Sequence, residues 1–377
     1  MRTTDETRKA HASYALYDAG GRVEASGEAD AEAGDEALTV GSVALNWLDA
    51  DTLRAAGYSV TLDRWPSGCL VLSQLGRRFE TFSAAVCEAR DRARVSGLLA
   101  HGLDDPLPFT GAVLEPAPVR EARLLLYATH LTVVPKEDEP FQVPYGAIAG
   151  QRIDAARHAV ALETSGGSIV LGQLGRRLDA FNSALGAGRG AQAKLLADLT
   201  GEMVFADGQG VARSALHRID ELVRAFAAPE RAAGLPALLA PADPPEAVRF
   251  GFVKLLDLDE QLAPAARELP EHLASFLLVP VRRHVVLEIL AGPSAATYVF
   301  EGDIGEINRD LQALHFRRRP LALSGKEAEL TLSNPYRLAL RKLPALQRLR
   351  AATCARLNHG SGWEAALAKA ISGAAAG

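Results

Sequence analysis

A 21-residue phrase occurs twice in the 377-residue chain, as LVLSQLGRRFETFSAAVCEAR at Leu70–Arg90 and as IVLGQLGRRLDAFNSALGAGR at Ile169–Arg189. The copies stand 99 residues apart (169 − 70). Ten of their 21 positions are identical: Val71, Leu72, Gln74, Leu75, Gly76, Arg77, Arg78, Phe82, Ala85 and Arg90 in the first copy. A phrase repeated at that period sets the size of the folding module before any local pattern is weighed.

Each copy opens on a short apolar run, Leu70–Leu72 or Ile169–Leu171, of the length and character of a buried strand. Gln-Leu-Gly then breaks it, with Gly76 and Gly175 free to take backbone angles that a Cβ resists. After the glycine the apolar period changes from 2 to about 3.6. Leu75, Phe79, Phe82 and Val86 fall at i, i+4, i+7 and i+11, and Leu174, Leu178, Phe181 and Leu185 repeat the spacing. The pattern predicts an amphipathic helix laid with one face on a sheet.

The arginine pairs Arg77–Arg78 and Arg176–Arg177 fall in or just before the first helical turn. The helix dipole disfavours cations there by roughly 0.3–1 kcal/mol each. Two readings are open. In one, Glu80, Asp179 or carboxylates of adjacent loops take the guanidinium forks and the pairs are structural. In the other, the arginines and the helix start form an anion site. The structural reading is preferred, because charge pairs at element ends are common.

Taken in order, the chain divides into a first module over 12–103, a second over 112–201, a diverged third over 203–316 and a basic C-terminal segment over 317–377. In module one, Ser13–Asp18, Leu38–Leu48 and Ser59–Asp63 read as strands. The run 24–36, with six acids and no base, reads as an exposed loop. Asp104–Pro118 reads as a proline-studded linker. Arg123–Tyr127 with Leu131–Pro135 forms a hairpin, and Phe141–Ile148 and His158–Thr164 continue the sheet of module two. Upstream of the phrase the modules align Val43 with Val143, Leu48 with Ile148 and Leu53 with Ile153.

In the third part, Val211–Ala227 is a helix candidate and Leu235–Pro245 a linker. Val285–Leu290, the turn Ala291–Ser294, Thr297–Phe300, an Asp303 N-cap and a helix Ile304–Leu314 restate strand, turn, strand, helix. Leu321–Leu323 and Glu329–Leu332 are short strands, and Tyr336–Leu357 and Trp363–Ile371 are helices.

Several antiparallel strands closed by one C-terminal amphipathic helix, at 90–100 residues per unit and in tandem, resemble the pleckstrin-homology-like (PH-like) superfold. The stretches Ser59–Arg90 and His158–Arg189 carry the likeness. The resemblance implies an α+β protein of tandem PH-like barrels or rolls, two clear copies and a diverged third. In each, a helix plugs the open end of an antiparallel sheet. Many members carry a tryptophan on that helix, where this chain has Phe82 and Phe181. Members that bind phosphoinositides use a basic cluster in the first hairpin. The acidic run Glu24–Glu36 stands there instead, and module two offers only Arg120, Arg123 and Lys136 among four acids, so inositol-lipid binding is not expected.

No Walker A, HExxH, GxSxG or GxGxxG pattern is present. Gly186–Gly190 reads as a helix stop, and the nine histidines are dispersed. Three scattered cysteines, Cys69, Cys87 and Cys354, suggest neither a zinc site nor a disulfide framework, so no metal or cofactor is expected. No run approaches the ~18 apolar residues of a membrane span. Met1–Ala12 lacks the apolar core of a signal peptide, and the expected compartment is the cytoplasm.

Charge is unevenly placed. Residues 315–377 hold 11 Lys/Arg and 3 acids, giving +8, which leaves 30 bases and 43 acids, or −13, before residue 315. Such fields steer partners. A candidate basic surface comprises Arg317, Arg318, Arg319, Arg337, Arg341, Lys342, Arg348 and Arg350. Its bland alternative is that the basic end packs on the chain's own acidic modules. The expectation is a non-enzymatic adaptor holding protein partners, with an anionic surface (nucleic acid or acidic membrane) at the basic end as the second reading. An unrecognised enzyme is the third.

Overall fold

A computed structural model describes residues 5–98, 106–127, 130–136, 138–164, 166–200, 209–210, 235–243, 247–254, 273–291, 294–314 and 334–372. Module one is built from β1 (Lys9–Tyr17), β2 (Val23–Ala33), β3 (Ala37–Val40), β4 (Val43–Asn46), β5 (Ala50–Ala56), β6 (Ser59–Arg64) and β7 (Cys69–Ser73). These seven strands form one antiparallel sheet in the order β4-β3-β2-β1-β7-β6-β5. Helix α1 (Phe79–Leu98) follows β7 through a 3-10 turn at Gly76–Arg78.

Alternation decides which residues face the helix. Val60 and Leu62 of β6, with Leu70 and Leu72 of β7, are fully buried and pack with Phe82, Val86 and Ala89 of α1. Burying one such side chain stabilises the fold by about 1.5–3 kcal/mol.

Module two repeats the plan with β8 (Leu107–Glu115), β9 (Arg120–Leu126), β10 (His130–Pro135), β11 (Phe141–Pro144), β12 (Ile148–Asp154), β13 (Ala159–Thr164) and β14 (Gly167–Gly172). Its order is β11-β10-β9-β8-β14-β13-β12, and α2 (Leu178–Thr200) follows a 3-10 turn at Gly175–Arg177. Phe181 and Leu185 of α2 lie in a core with Leu124, Leu131, Val160, Leu162 and Leu171. The backbone agrees in detail. Gln74 and Gln173 have φ of 58° and 56°, and Gly76 and Gly175 both have 54°. The repeated Gln-Leu-Gly therefore encodes two left-handed residues, of which the glutamine pays about 1–2 kcal/mol for its Cβ.

Both sheets are open, which corrects the expectation of a barrel. β4 and β5 are the two edges of the first sheet, and a 3-10 turn at Trp47–Asp49 carries the chain between them. Asn46 caps that turn by accepting from the Leu48 N–H at 2.9 Å. The Trp47 ring turns inward, and its Nε1 donates to the Gly34 carbonyl at 3.0 Å. Tyr145–Ala147 performs the same passage between β11 and β12, with the Tyr145 hydroxyl donating to the Tyr127 carbonyl at 2.6 Å.

Several local expectations fail for identifiable reasons. Most of the acidic run is no loop but β2, paired with β1 from Val23 to Glu32, and only Asp35 and Glu36 fall in the bend before β3. The small residues Ala31 and Ala33 of β2 face the core while the acids alternate outward, so the period of 2 is carried by alanine, a weak hydrophobic marker. The supposed linker contains β8, which pairs with both β9 and β14 and buries Phe109, Ala112 and Val113. Leu38–Leu48 is two strands and a turn rather than one. Ile148 corresponds structurally to Ala50, not Leu48, because each opens the strand after the 3-10 passage. Gly186–Gly190 does not stop α2, which runs through it. At Gly188 a Cβ would come 2.6 Å from the Tyr145 ring, so this glycine serves close packing of the helix on the turn.

The third sheet comprises β15 (Gln209–Gly210), β16 (Arg249–Lys254), β17 (Leu273–Val281), β18 (His284–Ala291), β19 (Ser294–Glu301) and β20 (Thr353–Asn358), in consecutive order. Helix α3 (Leu235–Leu239) precedes β16 and helix α4 (Ile304–Ala313) follows β19. Asp303 caps α4, accepting from the Gly305 and Glu306 N–H groups at 2.7 and 3.1 Å. Here the strand before the helix pairs with a later strand, β20, whereas β7 pairs back to β1. The third sheet thus differs in topology from the first two.

The helix expected over Tyr336–Leu357 is instead α5 (Asn334–Lys342), α6 (Pro344–Ala352) and β20. Pro344 opens α6 at a position where its missing N–H is harmless, and it ends α5 because the residue before proline avoids helical angles. Helix α7 (Trp363–Ile371) packs on the sheet through Trp363 and Leu367. The helix expected over Val211–Ala227 and the strands expected over Leu321–Leu323 and Glu329–Leu332 lie outside the described residues.

The chain forms two compact units, one of residues 1–99 with 331–342 and the other of residues 100–330 with 343–377. Among the described residues no helix is long and apolar enough to cross a membrane.

Candidate functional site

The arginine turns come first, because both copies preserve them. Arg77 and Arg176 are exposed. Arg78 reaches back to the start of β1, where its Nη1 donates to the Glu6 and Lys9 carbonyls at 2.9 and 3.1 Å. Arg177 lies with its guanidinium carbon 4.2 Å above the Phe109 ring at the start of β8. In both modules the second arginine fastens the helix turn to the first strand, and the first arginine projects outward. Neither second arginine uses Glu80 or Asp179 for this: the acceptors are carbonyls in one module and a ring face in the other.

The last identity of the phrase, Arg90 and Arg189, has a structural role that sequence reasoning passed over. Arg90 donates to the Ala50 and Asp51 carbonyls at 3.3 and 2.7 Å, and Arg189 donates to the Ile148 carbonyl at 2.8 Å and to Gln151 Oε1 at 3.1 Å. Ala50 and Ile148 both follow the 3-10 passage between the sheet edges. Each arginine thus ties the closing helix to the same point of the frame. Their survival in both copies was the available signal.

Among the described basic C-terminal residues, three meet acceptors within their own compact unit. Arg317, Arg318 and Arg319 lie outside the described residues, and Arg337 falls within α5. Arg341 donates to the Leu48 carbonyl at 2.9 Å and lies 4.1 Å above the Trp65 ring. Lys342 Nζ is 3.0 Å from Asp51 Oδ1. Arg348 makes a two-pronged pair with Asp310, at 2.9 and 2.6 Å, and that carboxylate holds the guanidinium above its ordinary range. Arg350 is half-buried at the end of α6. For Arg341, Lys342 and Arg348, the bland reading holds: the cations meet groups of their own chain.

Among the described residues, the edge strands β5 and β12 carry exposed side chains. β5 exposes Arg54, Ala55 and Ala56, and β12 exposes Ala149, Arg152 and Ile153, the last an apolar side chain 43% exposed. An edge strand offers a row of backbone groups that an extended peptide can pair with.

A buried polar grouping lies in the third sheet. The Thr297 hydroxyl donates to Glu288 Oε2 at 2.6 Å and accepts from Trp363 Nε1 at 2.8 Å. His359 Nε2 meets Glu288 Oε1, and its ring stacks on Trp363 at 4.4 Å. Glu288 and His359 side chains are only 3% and 6% exposed, so this group fastens β20 and α7 to the sheet and offers no face to a substrate. Burial also pushes the Tyr145 phenol well above its ordinary range and holds His284 below it, the latter helped by Arg283. No cluster of three His, Cys, Asp or Glu suited to a metal occurs among the described residues.

No family model matches the chain, and no curated protein matches it. Among solved structures, the C-terminal domain of an unknown protein from Leishmania infantum is similar to part of it. That match is 19% identical, covers 24% of this chain and 84% of the other, and has a TM-score of 0.20.

Proposed function

We propose that this chain is a non-enzymatic adaptor whose first two modules are PH-like and hold protein partners. Supporting the PH-like reading are two antiparallel sheets of seven strands in the same order, each ending in a strand, a 3-10 turn and a helix packed on the core. The observation that carries the binding role is the edge strand in each copy, β5 and β12, lying next to the passage that Arg90 or Arg189 ties to the closing helix. An extended partner segment gains main-chain hydrogen bonds at such an edge, and neighbouring side chains supply specificity.

The reading through an anionic surface draws less support, because Arg341, Lys342 and Arg348 already meet acceptors of their own chain. The buried polar group of Glu288, Thr297 and His359 gives the enzyme reading no accessible centre.

The test uses the full chain with Ala55→Lys in β5 and Ile153→Lys in β12. A partner recovered in stoichiometric amounts from the source cells should bind one of these variants at least tenfold more weakly, with the melting temperature unchanged. Retention by both variants at full affinity would discard the edge-binding reading.

A further inference from the structure

Helix α5 is an excursion. It belongs to the compact unit of module one, yet the chain on either side, up to residue 330 and from 343 onward, belongs to the other unit. It packs along α1 and against the 3-10 turn Trp47–Asp49, burying Leu338 and Ala339 at 2% and 0% exposure. Its last two residues find specific acceptors. The Arg341 guanidinium takes the Leu48 carbonyl and the face of Trp65, and the Lys342 ammonium takes the Asp51 carboxylate. A cationic pair at a helix C-terminus also suits the dipole of that helix.

Two of these acceptors, Asp51 and Trp65, are not part of the frame that the two modules share. By ladder position the residue after the passage is Asp51 in module one and Ala149 in module two, since Ala50 and Ile148 occupy the same place in β5 and β12. Just past β6 stands Trp65; just past β13 stands Ser165. A carboxylate and an aromatic face for cations are present in the module that holds a basic-ended helix. The matching sequence positions of the other module hold alanine and serine.

We infer that α1, the Trp47–Asp49 turn, Asp51 and Trp65 form a docking face for a short amphipathic helix, and that α5 fills it in cis. The partner that fits is a protein helix presenting a small apolar pair followed, two or three positions on, by Arg-Lys. It binds by displacing α5. This rests on the adaptor reading and adds the kind of partner and its built-in competitor. A tethered occupant lowers the apparent affinity of a free one by the fraction of time the face is filled.

The experiment uses the full chain and a fluorescent peptide with the sequence of residues 331–343. Wild type, with its own α5 seated, should bind the peptide weakly. The double variant Arg341→Ala, Lys342→Ala loosens α5 and should bind it at least tenfold more tightly. Adding Asp51→Ala to that background should remove the gain. Equal binding to wild type and the double variant, or none to either, overturns the docking face. Loss of amide protection in α1 of the double variant also overturns it, since α5 is then an integral part of the core. Exchange of α5 between labelled chains in a wild-type dimer would assign the face to a second copy and reject the displacing partner. A chain that ignores the peptide yet loses a protein partner on Ala55→Lys or Ile153→Lys refutes this inference and leaves the adaptor reading standing.

Discussion

Modules one and two keep one frame and finish it with different side chains. The parts they share set the backbone and the core beneath it: the left-handed Gln74 and Gln173, the arginines Arg90 and Arg189 on the carbonyls of Ala50 and Ile148, and the buried rings of Phe82 and Phe181. The parts that differ set how the helix meets the passage between the sheet edges. Trp47 with Ala89 serves module one, and Tyr145 with Gly188 serves module two, where a Cβ on the helix would press into the ring. Main-chain hydrogen-bonding needs are the same wherever the fold is the same, and a donor placed to meet them is hard to replace. Packing against an aromatic ring has several solutions, so it drifts.

The largest effect available is at the shared phenylalanines. Both rings are fully buried, and Phe82→Ala or Phe181→Ala should destabilise its own module by about 3–5 kcal/mol. Amide exchange followed strand by strand reads each module by itself, which a single melting curve of a chain with several units does not. Similar losses would sharpen the equivalence of the two cores. A loss confined to one module, with the other phenylalanine tolerated, would break it.

Next are the helix ties. Arg90→Ala and Arg189→Ala each leave the carbonyl that opens an edge strand without its guanidinium donor, at a cost of about 1–3 kcal/mol. Faster exchange should be confined to the passage and the first residues of β5 or β12. Exchange that rises evenly over the whole module would mean that these arginines carry general packing rather than the local tie.

How much of this was readable beforehand follows the same division. The strand, the glycine break and the helix of the repeated phrase were legible, because a change of apolar period and a glycine are local signals. So was the Asp303 cap, which the structure shows accepting from two backbone amides. β2 was missed because its inward side is mostly alanine and its outward side a run of acids, which together look like a charged loop. β8 was missed because prolines within and just after it suggested a linker, although Pro108 sits in the ladder opposite Leu125. The positions of the arginine turns were legible and their roles were not. Arg78 depends on carbonyls near residue 8 and Arg177 on a ring at residue 109, contacts that no spacing within the phrase can announce. The acceptors of Arg341, Lys342 and Arg348 were illegible for the same reason, since charge counts ignore which group each cation meets.

The smallest effects separate the members of each arginine pair, and they test the comparison most finely. Arg78→Ala removes a donor shared by two carbonyls, and Arg177→Ala removes a cation from the face of Phe109. Both arginines are exposed, so each loss should stay near about 0.5–1 kcal/mol. Arg77→Ala and Arg176→Ala, which project outward, should change stability by less than about 0.5 kcal/mol. Chemical denaturation of the four variants, with exchange at β1 and β8 as the local readout, ranks them. If the outward arginines matter as much as the inward ones, an ordered anion or a carboxylate holds them in solution, and the structural reading of the pairs gives way to a binding one.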